Sequence, residues 1–244
     1  MTSQFERTHL SSSTAPYPLP PLTYENNRMP AIMFRTSQEV LRDLVPEPLV
    51  VNPDGHMIIY IGALNVVSPV SVSYLEAGIM IPSTDGREEG VYLPVLYLDK
   101  ALPIVVGREV WGFPKFQADL SLQEKAGVVH ARVVSEEISL IDAVLRMGAP
   151  IPPPVPSPGT FFLMKRVPSV TAPTVYDVKQ LTTAVLRDEI QQEVRPGEAT
   201  LRLGSTATDP LERIPVIDIV QGVYCTGGFV LDYGRIVHNY LAEG

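Results

Sequence analysis

The chain has 244 residues, 45% of them hydrophobic and 19% charged, with a formal charge of −8. That composition supports a sizeable core and excludes global disorder. The acidic balance argues against a nucleic-acid partner and against docking on an anionic membrane. Cys225 is the only cysteine, so neither an intramolecular disulfide nor a multi-cysteine metal site is available.

Residues 1–16 are polar and aperiodic and are expected to form a loose arm, with residues 17–244 as a single domain. Met1 to Pro20 lacks the apolar run of about 7–15 residues found in a signal peptide. Asn65, Pro69 and Glu76 interrupt the longest apolar stretches, so no transmembrane helix and a cytoplasmic location are expected. Pro18, Pro20 and Pro21 set an extended lead-in. Thr36 with Glu39 reads as a capping box, and Val40, Leu41, Leu44 and Val45 fall on one stripe, which predicts a helix over Thr36–Leu44 that Pro46 stops.

Strands are predicted next over Met57–Leu64, Val70–Ile81, Gly90–Leu98, Ile104–Val110 and Val128–Val134, all rich in Val, Ile and Tyr and bounded by turn residues. Ser139–Met147 reads either as a further strand, the favoured reading, or as one that passes into a helical turn, and Pro150–Pro158 as a stiff connector. Phe161–Arg166, Thr174–Asp188, Ala199–Leu203, Pro215–Val220 and Gly222–Leu231 are further strand candidates, and Tyr233–Ala242 reads as a closing helix. The pattern predicts an α+β, mainly β protein: a curved antiparallel sheet or closed barrel with peripheral helices.

His9, His56, His130 and His238 are scattered without metal-ligand spacing, and no phosphate-binding glycine loop is present, so neither metal nor nucleotide is expected. Gly-x-Ser-x-Gly is absent as well. One segment concentrates the chemistry: Gly107-Arg108-Glu109-Val110-Trp111-Gly112-Phe113-Pro114-Lys115-Phe116. It sets the only tryptophan and two phenylalanines around one lysine. Burying an amine among aromatic rings disfavours its ammonium form and frees the lone pair. A free amine attacks a ketone to give an imine, which draws electrons from the neighbouring carbon. The plainer reading is a surface lysine whose stem lies on an aromatic patch.

This segment resembles the active-site strand of the acetoacetate decarboxylase family, in which the lysine after the proline forms the Schiff base. That position is Lys115. The resemblance extends over Phe34-Arg35-Thr36, Val45-Pro46-Glu47-Pro48-Leu49, Tyr74-Leu75-Glu76, Tyr97-Leu98-Asp99, Phe162-Leu163-Met164-Lys165, Val167-Pro168, Asp209-Pro210-Leu211 and Pro215-Val216, in order along the chain. It implies a cone-shaped antiparallel β-barrel with surrounding helices and a deep pocket, usually in a homo-oligomer, and a carbon–carbon lyase that needs no cofactor. It also implies that Glu76 positions substrate at the imine and that Arg28, with its carboxylate-matching fork, meets the substrate carboxylate. Trp111, Phe113 and Ile61 are expected to line the substrate pocket. Arg108 and Glu109 fit a structural ion pair, and Cys225 a small buried thiol.

Two positions depart from the family. Phe116 stands where typical members carry a second lysine, and Ile61 where they carry a second pocket glutamate. With no cation beside Lys115, desolvation is the remaining way to activate the amine. In a strand Phe116 should face away from Lys115 while helping to bury the segment. The reading favoured is decarboxylation of a small β-keto acid to a ketone. A Schiff-base aldolase-dehydratase or cyclase acting through the same lysine is the second, and a non-catalytic barrel that binds an apolar small molecule is the third.

Overall fold

The computed structural model describes residue 15, residues 17–154, residue 157 and residues 159–242. The expected arm therefore lies outside the described residues except for Ala15.

The first strand, β1 (Leu22–Arg35), was not expected. Its run Glu25-Asn26-Asn27-Arg28 hides the alternation, because a bulge interrupts it: Asn26 has φ +53 and the pairing shifts between Tyr24 and Asn27. An extra residue with positive φ is how a strand bends and re-aims its side chains. The buried Asn27 accepts through Oδ1 from the Asn65 N–H at 2.9 Å, which ties the bulge to the neighbouring strand. Helix α1 (Gln38–Leu44) follows, one position later than the capping-box reading predicts. Ser37 is the N-cap, its Oγ accepting from Val40 N–H at 3.3 Å.

Next come β2 (Val50–Val51), β3 (His56–Ser68), β4 (Val72–Thr84), β5 (Glu89–Tyr92) and β6 (Leu96–Leu98). The single strand expected over Gly90–Leu98 is thus broken at Leu93–Val95, where Pro94 has no N–H to give a ladder. Ile104–Val110 is not a strand but the greater part of helix α2 (Ala101–Val110). Pro103 is tolerated there because it lies in the first turn. Pro103, Val106 and Gly107, at helical spacing, form the buried face, so packing overrides the β-propensity of Ile104 and Val105.

Strands β7 (Lys115–Gln117), β8 (Asp119–Lys125), β9 (Val128–Ser135), β10 (Ile138–Met147) and β11 (Thr160–Pro168) lead to β12 (Tyr176–Leu203), a 28-residue strand that unites two separate expectations. After β13 (Asp218–Asp232), the closing helix expected over Tyr233–Ala242 is instead β14 (Ile236–Asn239), paired with β12. An available strand edge decided that segment.

The protein is mainly β, with two α-helices among the described residues. The strands pair in the order β11-β5-β4-β3-β1-β13-β12-β10-β9-β8, and β11 also pairs with β12, so the curved sheet returns on itself. Its ladders are antiparallel except β11–β5 and β6–β7. Alternation along β1, β3 and β4 divides the interior. Ile32, Phe34, Ile59, Ile61, Ala77 and Ile79 face one core. Tyr24, Tyr60, Leu64, Tyr74 and Met80 face another, shared with Trp111 and Phe113. Among the described residues no helix is long and apolar enough to cross a membrane.

Candidate active site

Lys115 opens β7, immediately after α2. The carbonyl of Gly107 gathers three N–H donors, from Trp111, Gly112 and Phe113, at 3.0–3.3 Å. Gly112 turns the chain with φ +90, and a Cβ there would meet Lys165 Cβ at 2.4 Å, so glycine is required on both counts. Three side chains hold the turn through four further hydrogen bonds. Lys165 Nζ donates to the carbonyls of Glu109 (2.7 Å) and Val110 (2.9 Å) at the end of α2. Thr182 Oγ1 donates to the Trp111 carbonyl at 2.5 Å. Arg108 donates to the carbonyl of Lys115 itself at 3.1 Å. Arg108 is thus a backbone clamp, in place of the expected pairing with Glu109.

The Lys115 side chain is 6% exposed. Its Nζ lies 2.8 Å from Glu76 Oε2, 4.9 Å from the centre of the Phe113 ring and 5.7 Å from that of Tyr74. The lysine–glutamate contact is an ion pair without hydrogen-bond alignment, so Oε2 is held without a directed donor. The other carboxylate oxygen, Oε1, accepts from Tyr60 Oη–H. Two further buried phenols, Tyr24 and Tyr74, share a hydrogen bond at 3.2 Å. Burial first, and then the Glu76 charge, raises the Tyr60 phenol well above its ordinary value. Burial raises Tyr74 and Tyr24 in the same direction. These phenols therefore stay protonated donors across the neutral range.

These groups face a cavity of about 400 Å³. Met29, Ala31 and Met33 from β1, Ile58 and Leu64 from β3, and Met80 from β4 supply much of its apolar wall. The exposed Ser157, Glu189, Ile190 and Gln221 mark its mouth.

The structure brings Lys115, Glu76 and Phe113 together, packs the Trp111 ring edge-on against Phe113 with centroids 5.8 Å apart, and separates Arg28 and Ile61 from them. Arg28 sits beside Met29, whose side chain lines the cavity, and adjacent strand residues point to opposite faces. Arg28 accordingly lies outside, 3.8 Å from Glu124 and about half exposed. Ile61 is 1% exposed in the opposite core. Its neighbours Tyr60 and Gly62 take the cavity face, Gly62 pairing directly with Glu76. Trp111 is a buried support whose Nε1–H donates to the Asp232 carbonyl at 3.0 Å. Phe116 faces away from Lys115 as expected. At 50% exposed beneath the Arg108 guanidinium, it does not bury the segment. Cys225 lies on the cavity wall, with its thiol pushed up by burial.

Sequence reasoning missed Tyr24, Tyr60, Met29 and Gly107. Gly107 stands inside the quoted motif, and its role is spatial: a Cβ there would come within 2.8 Å of Lys115 Cδ and Cε. Gly107→Ala should leave folding stability within about 1 kcal/mol, since alanine favours the helix. It should lower kcat/KM by more than about tenfold by displacing the amine. Parallel denaturation and kinetic measurements check the two opposite expectations.

The buried phenols make a pH prediction. Their folded-state pKa values lie above the ordinary 10.0, so their stabilisation is complete below that value and is lost as pH rises beyond it. The denaturation midpoint should fall between about pH 9 and pH 11, and Tyr74→Phe should fall less than the parent chain.

The site is therefore a lysine and a carboxylate paired and buried on the wall of an apolar cavity, in a mainly β chain whose sheet returns on itself. The acetoacetate decarboxylase family model matches residues 7–241, and the chain belongs to that family. It is 29% identical over 233 residues to acetoacetate decarboxylase 1 of Mesorhizobium japonicum, covering 93% of this chain and 92% of that one. The fold matches the crystal structure of acetoacetate decarboxylase from Legionella pneumophila with a TM-score of 0.82 at 24% identity, over 93% and 91% of the two chains. It also matches the enduracididine biosynthesis enzyme MppR, solved with pyruvate, with a TM-score of 0.81 at 16% identity, over 93% and 94%.

Proposed function

We propose that this chain is a cofactor-independent lyase that decarboxylates a β-keto acid through an imine on Lys115. The observation that carries the reading is the Lys115 Nζ, buried and 2.8 Å from Glu76 Oε2, facing a cavity open to solvent. Membership of the acetoacetate decarboxylase family supports the reaction class.

The steps follow from the geometry. Glu76 takes a proton from the ammonium, and the freed lone pair attacks the substrate ketone. Water leaves, and the iminium nitrogen becomes the electron sink. The bond between the α-carbon and the carboxylate breaks, CO2 departs, and its electron pair forms the enamine. Glu76 gave its proton back as water left, so it takes the net proton of the reaction from solvent and, oriented by Tyr60, passes it to the α-carbon; water then hydrolyses the new iminium to release ketone and Lys115. The balance is one keto-acid anion and one proton to one ketone and one CO2. The Phe113 face beside Nζ favours the cationic imine. Arg28 has no part in this scheme. The exposed apolar Leu102, Val105 and Phe116 near Arg108 support a homo-oligomeric assembly.

The likeness of fold to MppR, solved with pyruvate and with a condensation product of pyruvate and an aldehyde, supports a second reading, an aldol condensation or dehydration of a 2-oxo acid through the same amine. A β-keto acid labelled at its carboxyl carbon separates the two. Release of labelled CO2 with an equal amount of ketone is the expected result. Condensation or loss of water from a 2-oxo acid, with no CO2 from any β-keto acid, would replace the first reading with the second.

A further inference from the structure

The cavity is far more apolar than a four-carbon keto acid needs. We infer that the substrate is a monocarboxylic β-keto acid whose ketone carries a long alkyl or aryl group, with the cavity wall of β1, β3 and β4 setting that preference. The inference rests on the imine reading above and specifies its substrate.

Three observations carry it. First, the register across the sheet builds apolar rows away from the amine. Met80 pairs with Ile58, Ile58 with Met33, and Met33 with Gln221 at the mouth. The next row holds Tyr60, Ala31 and Val223. Nearer the amine, Glu76 pairs with Gly62, and the register that joins Arg28 to Ala63 and Ala31 to Tyr60 sets Met29 beside Gly62. Across about 10 Å of sheet from Glu76, at two strand spacings, the facing group is thus a thioether. Thioethers and unbranched chains adapt well to flexible alkyl groups.

Second, the only cation among the described cavity-lining residues is Lys115. The bulge at Asn26 turns Arg28 outward to Glu124, so no guanidinium awaits a second anionic group. Third, the mouth bears the Glu189 carboxylate, which accepts from Ser157 Oγ at 2.5 Å. A substrate with a distal carboxylate would end against it, whereas an alkyl or aryl tail would lie along the methionines. The volume of about 400 Å³ falls within the range of sites that enclose drug-sized ligands.

The test is a series of 3-oxo acids with four, six and eight carbons, together with 3-oxo-3-phenylpropanoate and 3-oxohexanedioate. Each is assayed for kcat/KM and for borohydride-trapped adduct on Lys115. Each added methylene should raise kcat/KM about fourfold, to roughly two orders of magnitude between four and eight carbons. The dicarboxylate should be the poorest of the six-carbon pair. Ala31→Phe, which fills the second row, should reverse the ratio of eight-carbon to four-carbon acid. A flat series, or a preference for the four-carbon acid, with adduct still forming on Lys115, would overturn this inference and leave the imine reading standing. Absence of adduct from every acid would overturn both.

Discussion

Replacing Lys115 with methionine is expected to reduce kcat/KM by at least about 10⁴-fold, a loss near 5.5 kcal/mol of transition-state stabilisation. Methionine nearly preserves the volume of the side chain between Gly107 and Phe113, so the variant should fold, and a cooperative denaturation curve verifies that. What disappears is the nitrogen proposed to form the imine. Lys115→Arg should fail equally. It keeps a cation near Glu76, but a guanidinium is always protonated and cannot add to a ketone. Retained activity in either variant would show that the charge or the packing of Lys115, and not its nucleophilicity, supports the reaction.

Glu76→Gln should separate imine formation from proton transfer. The amide oxygen can still accept from Tyr60, so the geometry is kept while the charge beside Nζ is removed. A buried ammonium without a counter-ion is strongly disfavoured, so the amine is left free to attack. Borohydride trapping on Lys115 should therefore persist. Turnover should fall by about 10²- to 10⁴-fold, the usual loss when a positioned acid–base group is removed. Single-turnover trapping compared with steady-state kcat checks this. Equal loss of both would make Glu76 a structural partner of the lysine instead of a proton carrier.

The proposed nucleophile stands out in the sequence because its environment is local. Aromatic residues, a proline and one lysine sit within ten positions, and α2 with its terminal glycines folds that stretch onto itself. The opposing wall was not legible, because it is set by register. Moving one residue along β3, from Ile61 to Tyr60, changes the core that a side chain faces. The bulge at Asn26 does the same for Arg28 and Met29, and nothing in Glu25-Asn26-Asn27-Arg28 announces an extra residue. The strand reading of Ile104–Val110 failed for a different reason. β-Branched residues were weighed as strand formers, whereas a helical face of Pro103, Val106 and Gly107 packs beside Lys115. The mainly β character was recoverable because most strands carry alternating Val, Ile and Tyr. The path by which β12 closes the sheet against β11 depends on long-range pairing that no local pattern contains.

The central claim is that a substrate ketone becomes covalently bound at Lys115. Incubating the full chain with a β-keto acid, reducing with borohydride and mapping peptides by mass tests it most directly. The account predicts a reduced ketone adduct on the peptide that contains Lys115, with the other lysines, including the partly buried Lys165, unmodified. An active enzyme with no adduct at Lys115, or with the adduct on Lys165, would contradict it.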